Sequence, residues 1–226
     1  MLSFVSGFVD TTGFLGFSGL LTSQVTGSFV AAGAAFVHPE PGLTAKLLAI
    51  PMFMVGAVLM TLLVAGLRRG KRDPMPAALV MVSGLIALFL AMGVWGAPFA
   101  SPDHPAAVTT AIVAFIAMGS QSALVRGLFK GSVPANFMTG NVTQVAVETT
   151  DLLLARAGLL HSGDAAADAA RVKAASAQLK ILLPTIVSFL MGAMISAHAF
   201  IAVGFWSLLL ASGLVMAAAI WSSHKG

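Results

Sequence analysis

The chain has 226 residues, of which 58% are hydrophobic and only 9% charged, and its mean hydropathy is +0.96. A soluble domain carries about a quarter charged residues, so this composition excludes a water-covered globule and points to an integral membrane protein. The formal charge of +4 falls in loops, where it orients membrane helices rather than grips nucleic acid, and with no cysteine there are no disulfides, thiolate nucleophiles or Cys-ligated metals.

Met1–Asp10 lacks a basic leader and carries an acid in its apolar run, so it does not read as a signal peptide; it enters the first segment abruptly, as a late start would. Phe4–Val37 is apolar but broken by Gly13, Gly16, Gly19 and the polar run Thr22-Ser23-Gln24. Leu43–Leu67 and Met75–Ala97 are long enough to cross a bilayer, which takes about 20 helical residues. Ala107–Leu154 is broken around Arg126–Asn136, which includes Lys130, Gly131 and Pro134. Ala174–Ala199 and Ile201–Trp221 are two further spans, with Ala157–Lys173 as the loop before them. Pro51 and Pro184 are expected to kink their spans. Each broken segment reads as two shorter helices joined by irregular backbone, which survives at membrane depth only when buried in protein or lining a cavity.

Basic residues set the orientation. Arg68, Arg69, Lys71 and Arg72 form the densest cluster and belong in the cytoplasm, together with Arg156, Arg171 and Lys173. The opposite loops, His38–Gly42 and Ser101–Pro105, hold no Lys or Arg. This gives six net crossings of an inner (plasma) membrane with both termini inside; an eight-span layout would move Arg156, Arg171 and Lys173 outside. Trp95 and Trp206 then fall at the outer interface and Trp221 at the inner one.

The chain also repeats itself. Val25-Thr26-Gly27-Ser28 is echoed by Met138-Thr139-Gly140-Asn141, and Phe53-Met54-Val55-Gly56-Ala57 by Phe189-Leu190-Met191-Gly192-Ala193, in the same order. Three crossings per copy make the repeat inverted, the architecture of many secondary transporters. The expected fold is an all-α polytopic bundle of two inverted three-segment repeats, 1–97 and 107–226, joined by an external loop at 98–106, with the first segment of each repeat discontinuous.

Gly7-Phe8-Val9-Asp10-Thr11-Thr12-Gly13-Phe14-Leu15, followed by Val25-Thr26-Gly27, resembles the opening of the YoaK-like family of bacterial membrane proteins. Met118-Gly119-Ser120-Gln121-Ser122-Ala123-Leu124-Val125-Arg126 and Met138-Thr139-Gly140-Asn141 are similar to its second-half signature. The resemblance covers nearly the whole chain, with Ser28 and Ser122 standing where Asn is common. It implies the fold and the membrane location; the family's function is unknown, so it supplies no substrate.

The candidate substrate-binding residues are Thr26, Gly27, Ser28, Gln121, Arg126, Thr139, Gly140 and Asn141. Thr, Ser and Asn beside a break cap free N–H groups, Gly lets a ligand approach, and a helix start in a cavity favours an anion. Pure capping would use the same N–H groups. Lys130 adds a second cation at the second break. Asp10 is the candidate proton or ion coupling group, since intramembrane carboxylates are costly; the structural alternative is a place near the surface, or bonding to Thr11, Thr12 or Gln121 of the facing repeat.

Gly16-Phe17-Ser18-Gly19 matches the short serine pattern of intramembrane proteases, with His198 as a distant base, but a nucleophilic serine needs a base within hydrogen-bond reach. An intramembrane hydrolase therefore ranks third, behind a transporter or channel-like permease and a non-transporting scaffold. No cofactor is implied: the histidines are scattered and no Gly-rich nucleotide loop occurs. The implied partners are the lipid bilayer and a small solute or ion. Gly13, Gly16 and Gly19 offer a close helix contact within the protomer or in a homo-oligomer.

Overall fold

The computed structural model describes residues 1–17, 19–35, 37–38, 41–129, 137–159 and 165–224. Among them are eight α-helices: α1 (Leu2–Gly16), α2 (Val25–Ala35), α3 (Leu43–Arg69), α4 (Met75–Gly96), α5 (Pro105–Leu128), α6 (Met138–Arg156), α7 (Ala165–Val203) and α8 (Leu208–Ser223). A 3-10 turn, Gly204–Ser207, joins the last two. Long apolar stretches fold this way because a helix satisfies its backbone N–H and C=O groups internally, as a lipid surround demands. Leu43–Arg69, Met75–Gly96, Pro105–Leu128 and the continuous Ala166–Ser223 run are long and apolar enough to cross a membrane. Leu62, Val187, Leu190 and Ile201 lie on the outside of the bundle, a surface suited to hydrocarbon and not to water.

The long helices run between two ends. At the first, Met1 and Leu2 of α1, Met75 of α4, Phe129 just past α5 and Trp221 of α8 line one apolar cavity of about 450 Å³. Arg68 at the foot of α3 donates from Nη2 to the Gly127 carbonyl at 3.2 Å. At the second end the rings of Phe17, Phe99 and Phe205 meet, with centroids 5.5–6.0 Å apart. There too the Gly42 N–H donates to Asp103 at 2.8 Å. The termini of α1 and α8 thus share an end, and α1, α3, α4, α5, α7 and α8 alternate in direction.

Packing is reciprocal between the two halves of the chain. α1 packs along α7 and α3 along α5, α2 lies on α3 and α6 on α7, and α4 packs against α8. At the two closest crossings glycine faces a carbonyl. A Cβ added at Gly7 would collide with the Phe189 carbonyl oxygen and one at Gly192 with that of Phe4. In the other pair, Gly56 meets the Ile116 carbonyl oxygen and Gly119 that of Phe53. These are backbone-to-backbone contacts of the kind small residues allow in membranes.

Several boundaries differ from expectation. α5 spans 24 residues, enough to cross alone, so the second broken segment is a full span followed by a second helix. Its break falls in 129–137, most of which, with Lys130, lies outside the described residues. The expected loop Ala157–Lys173 is helical from Ala165 onward, because its alanines are strong helix formers. There Arg171 makes a two-pronged bond to Asp151 of α6, with both N–O distances 2.8 Å. That carboxylate holds the Arg171 guanidinium above its ordinary pKa. With 39 residues α7 is about 58 Å long at 1.5 Å per residue, and this hairpin with α6 extends beyond a bilayer core of about 30 Å. The last span is shorter than expected: the chain turns at Gly204, whose φ of +58° suits glycine, and α8 begins only at Leu208. Pro51 and Pro184 sit inside helices that continue through them.

Candidate functional site

Asp10 is fully enclosed, 3% exposed, on the face of α1 turned to the protein interior. It does not bond to Thr11, Thr12 or Gln121. Instead the segment after α1 folds back along the helix, and Asp10 accepts from the Thr22 hydroxyl at 2.9 Å, from the Ser23 N–H at 2.6 Å and from the Ser23 hydroxyl. The structural alternative weighed from the sequence named other partners, because the bend that returns Thr22 and Ser23 to the level of Asp10 is tertiary. A buried carboxylate that accepts three hydrogen bonds is compensated for much of what burial costs. It fixes the point from which α2 starts, two residues later.

Thr12 is held differently, donating to the Phe8 carbonyl and sharing a 2.9 Å hydrogen bond with Ser196 of α7.

Beside this clamp lies a cavity of about 1260 Å³. Ser23, Gln24 and Thr26 line it from the first break; Phe137, Met138, Thr139 and Gly140 line it from the second. α5 contributes Ser122 and Arg126, and α3 contributes Ile50, Phe53, Met54 and Thr61. Two interruptions far apart in sequence therefore open onto one space. Phe137, the N-cap of α6, makes no side-chain cap bond, and the first N–H groups of a helix favour negative charge. Arg126 has no hydrogen-bond or ion-pair partner among the described residues, and no acidic side chain is among those lining the cavity.

The structure sorts the expected site residues. Thr26, Arg126, Thr139 and Gly140 line the cavity together. Gly27 is exposed next to it, and Ser28 and Asn141 are buried one position deeper in α2 and α6. Gln121 turns away: its Nε2 donates to the Leu2 carbonyl and to the Ser6 hydroxyl, both at 2.8 Å, so it ties α5 to α1. Ser18 lies outside the described residues, and the His198 ring is paired with the Met194 carbonyl one turn back. Ser23, Gln24 and Ser122 were not singled out as ligand residues. The polar run Thr22-Ser23-Gln24 inside an apolar segment was the available signal for Ser23 and Gln24.

A bundle of apolar membrane-length helices, with a cavity where two helix breaks meet, defines a polytopic helical membrane protein. A family model described as "Protein of unknown function (DUF1275)" matches residues 1–221, and the chain belongs to that family. This agrees with its resemblance to YoaK-like proteins. No curated protein and no solved structure matches the chain.

Proposed function

We propose that the protein is a small secondary transporter or channel-like permease of the bacterial inner membrane, carrying a small anion or carboxylate through the cavity between its two interrupted helices. One observation carries this reading: Arg126, whose guanidinium has no partner among the described residues, lines a cavity of about 1260 Å³ with no acid among its described lining residues. Arg126 is exposed to this space, and its fixed positive charge can hold an anionic ligand through charge-assisted N–H···O bonds. A filled centre would instead have favoured a scaffold.

The reciprocal packing of α1 on α7 and α3 on α5 supports reading the halves as an inverted repeat, in which sites lie at discontinuous helices. In this reading the Arg68–Arg72 end faces the cytoplasm with both termini. Asp10 is the coupling group and acts through Ser23, which touches both the carboxylate and the cavity. Protonating Asp10 would remove an acceptor from the Ser23 clamp and free the start of α2. Alternating access would come from one half rocking against the other.

The test is uptake of a panel of labelled inorganic anions and carboxylates into proteoliposomes, with and without a pH gradient. Uptake that is lost in Arg126→Gln, and that ceases to respond to the gradient in Asp10→Asn, supports the proposal. A folded, reconstituted protein that moves no anion under any gradient would overturn it in favour of the scaffold.

A further inference from the structure

We infer that the cavity takes a monoanionic carboxylate with an apolar body, rather than an inorganic anion or a dicarboxylate. This rests on the reading of the cavity as a substrate site and narrows its chemistry.

Three features of the lining point the same way. The cavity holds a single cation among the described residues, Arg126. One guanidinium matches one carboxylate, which it can bind through two parallel N–H···O bonds. A second negative charge would find no second cation among the described lining residues to pair with. Much of the lining is apolar, including Phe29 of α2 and Ile50, Phe53 and Met54 of α3. Such a wall offers an inorganic anion nothing, whereas it removes an apolar ligand body from water at about 25 cal/mol per Å². The volume is also far larger than an inorganic anion needs, since pockets of about 300–1,000 Å³ enclose drug-sized organic ligands. The hydroxyl and amide groups of Ser23, Gln24, Thr26 and Thr139 lie at the breaks, where they and the α6 N–H groups can complete the carboxylate's hydrogen bonds.

The same chemistry reaches the cavity from water as a small aromatic or short-chain acid, or from the bilayer as a fatty acid.

The experiment is a thermal-shift titration of the full-length protein in lipid nanodiscs with benzoate, oleate, benzamide, succinate, nitrate and sulfate. Nitrate and benzoate uptake into proteoliposomes is measured on the same preparation. The expected result is stabilisation by benzoate or oleate and none by the uncharged benzamide. Benzoate affinity falls about tenfold in Arg126→Gln, as loss of a charged hydrogen-bonding partner predicts, and recovers in part in Arg126→Lys. Phe29→Ala, at an exposed position that can be truncated without opening the core, weakens benzoate severalfold. A response to benzoate alone assigns an aqueous acid, and one to oleate alone a lipid-derived acid. Binding and uptake of nitrate or sulfate without benzoate or oleate would overturn this inference while leaving an anion transporter standing. Equal stabilisation by benzamide and benzoate would overturn the role of Arg126. No binding and no uptake of any compound would overturn the inference and the transporter reading together.

Discussion

The backbone N–H of Ser23 donates to the Asp10 carboxylate at 2.6 Å, across a gap of 13 residues. This bond turns an isolated intramembrane acid into the anchor of a helix break. Asp10→Ala leaves the Ser23 N–H, the Ser23 hydroxyl and the Thr22 hydroxyl without their acceptor, at about 1–3 kcal/mol for each group that stays buried and unsatisfied. The expected outcome is a markedly lowered melting temperature in detergent for Asp10→Ala and a smaller drop for Asp10→Asn, whose amide oxygen still accepts. Equal stability of both variants and the native chain would show that the clamp contributes nothing.

The glycine crossings give a second prediction. Gly119→Ala places a methyl group on the Phe53 carbonyl oxygen, and Gly7→Ala does the same at Phe189. Backbone cannot give way as a side-chain tip does, so a loss of about 1–3 kcal/mol or more is expected. Gly84, on an exposed face of α4 with nothing within 4 Å of its missing Cβ, is the control. There alanine improves helix propensity by up to about 1 kcal/mol. Unfolding of the three variants in a mild detergent checks the contrast, and tolerance of Gly119→Ala would argue against the close α3–α5 crossing.

The chain contains no cysteine, so single introduced thiols report orientation cleanly. Ser101→Cys lies in the loop between α4 and α5 and Arg72→Cys in the turn between α3 and α4, at opposite ends of the bundle. A membrane-impermeant maleimide added to intact spheroplasts is expected to label Ser101→Cys and to spare Arg72→Cys and His224→Cys until the membrane is opened. Labelling of His224→Cys together with Ser101→Cys would rule out an even number of crossings with the termini inside.

Much of the architecture was legible in the sequence because hydropathy is local and additive. Leu43–Leu67 and Met75–Ala97 could be read within two residues of α3 and α4. Helix extent was harder where water, not lipid, surrounds the chain. Residues 165–173 are too polar to score as a span, yet alanine propensity and the Arg171–Asp151 pair carry α7 through them. The echo of Phe53-Met-Val-Gly56 in Phe189-Leu-Met-Gly192 marked the right glycines, although nothing in that text says which carbonyls they meet.

The sequence by itself determined that this is an all-helical membrane protein whose apolar pattern is interrupted twice, because burial in hydrocarbon selects long apolar helices. Only the tertiary structure decided what the interruptions do. Asp10 reaches Ser23 because the chain folds back on α1, Gln121 is spent on joining α5 to α1, and Thr26, Thr139 and Arg126 come to line one cavity. The physical reason is range: helix formation in lipid is governed by each segment's own composition, whereas a shared cavity depends on helix packing set by contacts far apart in sequence, such as those of Gly56 with Ile116 and Gly119 with Phe53.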